Sequence, residues 1–342
     1  MGNIIPSHRA FATNSASSCH LGILESIFKV ANHTKQKQNC NLSRLYIANT
    51  YSFYISFINI WLKYKHLKQN DIKEFNLITK TIIDDFIRKV PPSPKILKVT
   101  LSLLNGGELV KAAQIAKEDL ALSAYLKDLV NKPIYGFRTQ VSEISQIFGI
   151  LGVAKSQQVV YNYMVALLSP DKWKLFKLNK SSFYSLQADL TANWQKILAF
   201  LEINDKEVEN AIALLPASVI VSEALFSEKL DDVNLLRSVN PIDLNSVLKR
   251  LCGVDLFDIC AQIATKWEMD EKVALIVQAA SGVKPANDAA IDKLGKWMHL
   301  LLFYILSQPN YVDAGLNDFI DFQIDYVQDV YDDFAKIMEI GN

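Results

Sequence analysis

Histidine is scarce in this 342-residue chain: of five, four (His8, His20, His33 and His66) precede residue 71, which leaves His299 alone in the remainder. Hydrolytic metal centres take their neutral nitrogen ligands from several imidazoles gathered at one place. A single histidine cannot build such a cluster, so no metal and no cofactor is expected. His299 lies in the apolar run Trp297-Met298-His299-Leu300-Leu301-Leu302, where its simplest role is a core histidine with one ring nitrogen bonded. Cysteine is also limited. Cys19, Cys40, Cys252 and Cys260 form no Cys-x-x-Cys pair, and Cys252 and Cys260 fall on an apolar helical pattern as small core residues. No signal-peptide pattern opens the chain, so a reducing cytoplasm is the expected compartment.

Glycine numbers only 12, and no phosphate-cradling loop is present. Gly149-Ile150-Leu151-Gly152 lacks the Lys-Ser/Thr and the third glycine such a loop needs. There is no Gly-x-Ser-x-Gly elbow, and a serine without a placed histidine lacks its usual base. No run of five or more residues alternates strictly between apolar and polar, which argues against a sheet. Net charge is absent too, with 36 Lys+Arg against 36 Asp+Glu, so no overall field advertises nucleic acid or anionic lipid. That balance hides two charged ends: about +7 before Asp71 and about −7 after Ser307. Leu45 to Leu62 is apolar and aromatic, but Asn49, Thr50, Ser52, Ser56 and Asn59 suit it poorly to a bilayer centre, and no transmembrane span is expected.

Helical periodicity is present nearly everywhere. From Asp71 to Val90, Ile72, Phe75, Ile78, Ile82, Phe86 and Val90 recur every three or four positions until Pro91-Pro92 ends the run. Ser93 as N-cap and Pro94 as first helical residue restart a helix that Asn105-Gly106-Gly107 stops. Further helices are expected at about 109–116, 120–130, 141–151 and 155–168. After Ser169-Pro170-Asp171, four lysines (Lys172, Lys174, Lys177, Lys180) interleave with Trp173 and Phe176. Such a pattern binds single-stranded nucleic acid in some settings, yet a solvated face with two aromatic anchors is the simpler reading. Helices follow near 182–200, 206–214, 220–226, 232–239, 243–251, 257–266 and 270–280, then a hairpin of Ala286–Ser307 and Asn310–Ile340. Asp318, Asp321, Asp325, Asp329 and Asp332 repeat along that last arm, but carboxylates in line on one helix cannot surround an ion.

One pattern is more specific. Pro91-Pro92-Ser93-Pro94, Asp119, Asn131, Tyr135-Gly136, Val141-Ser142-Glu143-Ile144 and Leu151-Gly152, followed by Gly253-x-Asp255-Leu256, Ala261, Ile263-Ala264 and Trp267, together resemble the signature of the bacterial HDOD domain. The resemblance spans about residues 71 to 306. At the positions where the related HD-type hydrolases carry metal ligands, this chain has Tyr184, Pro216-Ala217, Leu256 and Ala279-Ala280.

What the resemblance implies is an all-α protein of two packed helical bundles, 71–170 and 171–342, the second HD-like and closed by a C-terminal hairpin, with residues 1–70 an extension of unknown role. It also implies a regulatory module in place of an enzyme, working in bacterial signal transduction by protein–protein interaction, in motility or stress circuits. Tyr184, Pro216, Ala217, Leu256, Ala279 and Ala280 would then wall an apolar cleft that holds an unidentified signalling protein. Pro91, Pro94, Asn131, Gly136, Gly152, Gly253 and Trp267 would be structural. The alternative is a degenerate phosphohydrolase or cyclic-nucleotide sensor, with Lys180, Lys249, Arg250 and Lys266 touching phosphates.

Overall fold

Aspartate opens six of the helices. A carboxylate at the N-cap accepts from the first unpaired backbone N–H groups and complements the positive end of the helix dipole. Asp119, Asp205, Asp243, Asp255, Asp270 and Asp288 all do this. The computed structural model describes residues 78–340 apart from 92, 134–137, 240–241, 284 and 318, and among these residues no strand occurs. Residues 1–70, with four of the histidines and the apolar 45–62 segment, lie outside the described residues, as do Tyr135-Gly136 and Asp318.

α1 (Lys80–Lys89) starts at Thr79. α2 (Lys95–Asn105), α3 (Leu109–Glu118), α4 (Leu120–Val130) and α5 (Ile144–Ala166) pack together as a first bundle. α2 begins one residue later than the sequence pattern places it. Pro94 is its N-cap, because Ser93 is buried and turns its hydroxyl toward Met164 Sδ at 3.9 Å instead of capping. α5 is bent, since Gly152 sits at φ 73°, ψ −178° within it. A glycine adopts this backbone without a Cβ penalty, so α5 is two helices that meet at a kink at Gly152, as the sequence expects on either side of it.

The second bundle contains α6 (Lys180–Phe200), α7 (Lys206–Ala211) with a 3-10 turn at Ile212–Leu214, α8 (Ala217–Phe226), α9 (Leu230–Val239), α10 (Leu244–Cys252), α11 (Leu256–Lys266), α12 (Glu271–Ala279) and α13 (Ala289–Leu306). α5 joins the bundles by packing on α7 and its 3-10 turn. The joint is polar inside: Tyr125 Oη donates to Gln187 Oε1 (3.0 Å), Gln187 Nε2 to the Asn162 carbonyl (2.7 Å) and Asn162 Nδ2 to Thr191 Oγ1 (3.1 Å). Although α1 precedes the first bundle in sequence, it packs on α8 and α11 of the second.

The last arm of the expected hairpin is broken. α14 (Pro309–Asp313), α15 (Ile324–Val327) and α16 (Tyr331–Ile337) replace one long helix. Gly315 at φ 81° ends α14, and Phe319 and Ile320 are buried between the helices. The chain there bonds outward, with Lys177 N–H donating to Ala314 O (2.9 Å) and Asn245 N–H to Phe319 O (3.1 Å). The aspartates of this arm therefore form no single stripe. Among the described residues, the continuous helical run Lys206–Asn234 is long and apolar enough to cross a membrane, but 89% of its apolar window is buried inside the protein. It is a core segment.

Candidate functional site

The positions that the sequence resemblance sets against metal ligands fall on four elements of the second bundle. Tyr184 is on α6, Pro216-Ala217 open α8, Leu256 is the first residue of α11, and Ala279-Ala280 end α12. All are buried. Tyr184 stacks edge-on against Tyr125 (4.7 Å between centroids, 89°), and Tyr125 in turn meets Tyr163 at 5.2 Å. Burial, then Asp119 and Tyr184, push the Tyr163 phenol up to about 12, so it stays neutral and acts as packing. Leu256 is 0% exposed, and its N–H donates to Asn245 Oδ1 at 2.8 Å.

Ala279 and Ala280 meet α13. A Cβ built on Gly295 would stand 2.5 Å from Ala279 Cβ, so the two helices touch backbone to side chain with no room for a larger group. One turn further, His299 Nδ1 lies 2.7 Å from Ala280 O, and His299 Nε2 lies 3.1 Å from the Gln323 nitrogen. The backbone N–H of Gln323 can only donate and the Ala280 carbonyl can only accept. The tautomer is thereby fixed, with the proton on Nδ1 and the lone pair on Nε2. The ring stacks on Phe322 (5.5 Å, 18°) and also contacts Phe303. Burial lowers its pKa to about 4, against the opposing bond to Ala280. His299 is a core histidine with both ring nitrogens bonded, one more than the sequence suggested.

The six proposed cleft residues therefore line no open cleft. Tyr184 is tied to α4 and α5, and Ala280 to α13 and the 319–323 segment. Small and apolar side chains let the helices close over the space that imidazoles and carboxylates would need. A recess of about 490 Å³ lies elsewhere, between α1 and α11, lined by Asp84, Ile87, Arg88, Gln262, Thr265 and Lys266.

The carboxylates are committed to other tasks. Asp119 Oδ1 accepts from the N–H groups of Ala121 and Leu122. Asp255, whose carboxyl is held above the usual range by burial and by Asp258, caps α11 in a reciprocal box with Asp258. Asp292 accepts from Ala286 N–H (3.0 Å) and pairs with Lys296 (3.5 Å). Among the described residues no group of three or more His, Cys, Asp or Glu could hold a metal. Burial pushes the Cys252 and Cys260 thiols up, which keeps them protonated. Of the lysines considered for phosphate, Lys249 faces Asp255 and Asp258 (3.6 and 3.7 Å) and Lys266 Nζ donates to the carbonyls of Ile87 and Arg88 (2.7 and 2.9 Å).

The family-like residues have physical tasks of their own. Asn131 Nδ2 donates to Lys127 O and Val141 O while its Oδ1 accepts from Val141 N–H, which staples the loop between α4 and α5. Gly253, at φ 75°, is the left-handed C-cap of α10 two residues before Asp255 caps α11. Trp267 Nε1 donates to Pro91 O at 3.1 Å, so the two most separated parts of the pattern touch. Nothing in the sequence reading singled out Glu223. It is 2% exposed, and its carboxylate accepts from the backbone N–H groups of Lys174, Leu175 and Phe176 at 2.7–3.2 Å. A lone acid in the apolar stretch Ala217–Phe226 was the available signal.

A family model, the HDOD domain, matches residues 91–282, more than half of the chain. The chain belongs to the HDOD domain family. Its described fold agrees with the family's helical architecture. It is similar to the crystal structure of an HDOD domain protein of unknown function from Geobacter sulfurreducens, with 17% identity, TM-score 0.52, and coverage of 76% of this chain and 95% of that one. It is equally similar to a putative phosphohydrolase from Shewanella amazonensis SB2B, with 17% identity, TM-score 0.52, and coverage of 76% and 97%. Identities this low show the fold alone. No curated protein matches. In this HDOD chain the residues that the sequence resemblance sets against HD ligands, Tyr184, Pro216, Ala217, Leu256, Ala279 and Ala280, are all packed into the core.

Proposed function

We propose that this HDOD protein is a non-enzymatic regulatory protein of the bacterial cytoplasm, acting in signal transduction through protein–protein interaction. One observation carries the reading: where a hydrolase would present ligands, this chain buries apolar, small and aromatic side chains, and His299 has both ring nitrogens engaged. A buried site without ligands, nucleophile or open volume offers a phosphodiester no place to react. Interaction with a partner then falls to the outer surface of the bundles.

A second reading, a degenerate phosphohydrolase or cyclic-nucleotide sensor, draws support from the name of the Shewanella neighbour. The two separate in one assay. Full-length protein is incubated with Mn²⁺, Fe²⁺, Co²⁺ or Ni²⁺ and tested on bis(p-nitrophenyl) phosphate and on a cyclic dinucleotide, with bound metal measured by mass spectrometry. The expected result is less than stoichiometric metal and no hydrolysis that chelation removes. One tightly held metal per chain with chelator-sensitive turnover overturns the proposal.

A further inference from the structure

We infer that the lysine ridge Lys172–Lys180, between α5 and α6, is a docking surface for an acidic peptide segment of a partner protein. The inference rests on the regulatory reading above and gives it a location. Lys172, Lys174, Lys177 and Lys180 are all exposed. Lys174 pairs with Glu228 at 2.5 Å, and Lys180 Nζ stands 5.7 Å over the Tyr184 ring. Among the described residues, Lys172 and Lys177 have no carboxylate within ion-pair distance.

The backbone that carries these lysines is held from below. Glu223 takes the N–H groups of residues 174, 175 and 176, and Lys177 N–H donates to Ala314 O. Phe176 is buried edge-on against Phe319 at 5.8 Å, and Trp173 packs on Phe183 at 5.6 Å. Asn179 then closes a reciprocal capping box with Ser182. Glu223 is the informative residue. It faces inward and is satisfied by main-chain donors, so it forms no ion pair with Lys172 or Lys177, while Lys174 is already paired with Glu228. Cations fixed on an ordered backbone lose less freedom on binding than cations on a mobile loop. Their complement is a run of carboxylates.

Single-stranded nucleic acid fits less well. Stacking needs exposed ring faces, whereas Phe176 is buried and Trp173 is half-buried against Phe183.

The test uses full-length protein and a fluorescein-labelled decaglutamate peptide, read by fluorescence anisotropy at low and at physiological salt, with labelled oligo-dT in parallel. The wild type should bind the peptide, more weakly as salt rises. Lys172→Glu/Lys177→Glu should lower the affinity about tenfold, while Lys196→Glu/Lys293→Glu, the same charge change at exposed lysines on α6 and α13, should lower it by less than about threefold. Melting curves check folding. If the Glu variant melts early, Lys172→Gln/Lys177→Gln replaces it, with an expected loss of about threefold or more. The assignment is overturned if wild type does not bind, if both paired variants lose affinity equally, or if oligo-dT binds more tightly than the peptide. Phosphodiester turnover by the wild type would remove the regulatory reading whatever the peptide does, while a peptide indifferent to the ridge would remove only this surface.

Discussion

Lowering the pH should unfold this protein partly through His299. The ring is fully buried, with Nδ1–H donated to Ala280 O and Nε2 accepting from Gln323 N–H. A second proton on Nε2 would face a donor and sit in an apolar box made by Phe303, Phe322 and Tyr326. The folded-state pKa is therefore depressed from 6.5 to about 4. A base with a depressed folded pKa contributes stability that is complete above its unfolded pKa and is lost as pH falls towards the folded value. Across that window the loss comes to about 3 kcal/mol, at about 1.4 kcal/mol per unit. Buried carboxyls with raised pKa, such as Asp189 and Asp255, act in the opposite direction, so the effect is isolated as a difference. Urea unfolding of wild type and His299→Gln would be compared from pH 7 to pH 4. At neutral pH the wild type should be the more stable, and the gap should shrink by about 3 kcal/mol as the pH approaches 4. Nitrogen-detected NMR of the ring should show the neutral Nδ1–H tautomer at pH 5. A stability gap that stays constant over this range, or a doubly protonated ring at pH 5, would refute the reasoning.

Gly295→Ala should cost about 2 kcal/mol and about 5 °C in Tm, because the added methyl would overlap Ala279 and the Tyr326 hydroxyl; a scanning-calorimetry trace identical to wild type would mean that α12 and α13 can move apart. Glu223→Gln keeps one acceptor for three backbone donors, so about 2 kcal/mol should be lost, with faster amide exchange at Lys174–Phe176 as its local sign; unchanged exchange there would contradict it. Leu256→Arg, which would be a selective probe if position 256 opened on a cleft, should instead unfold the protein by burying an unpaired charge at a cost above about 4 kcal/mol. A soluble variant with the wild-type melting temperature would show that position 256 reaches solvent.

The helices and most of their ends were legible because the information is local. Asp243, Asp255, Asp270 and Asp288 precede apolar periodic runs, and each is a side-chain cap. His299 was legible as core from its neighbours alone. What escaped the sequence depends on partners far along the chain. The segment 314–323 has the spacing to continue a helix, but Phe319 and Ile320 are drawn between helices and Asn245 takes the Phe319 carbonyl, so tertiary packing overrides the local pattern. The supposed cleft failed for a related reason. Replacing ligands by alanine and leucine reads in sequence as an emptied cavity, whereas in the fold Gly295 lets α13 close onto Ala279. Glu223 was missed because a buried carboxylate bound to backbone N–H groups carries no cation partner that a sequence scan could pair with it.

Lys266, Trp267 and Glu268, three consecutive residues at the end of α11, hold Ile87 O and Arg88 O, Pro91 O, and Lys98 respectively. The Trp267–Pro91 bond alone spans 176 residues. During synthesis at about 5–20 residues per second, α1 must wait on the order of ten seconds before its anchors leave the ribosome. For that interval α1 lacks the α8 and α11 surfaces on which it packs. The first bundle can condense from contacts near in sequence, so among the described helices α1 is the one whose anchors arrive long after it does.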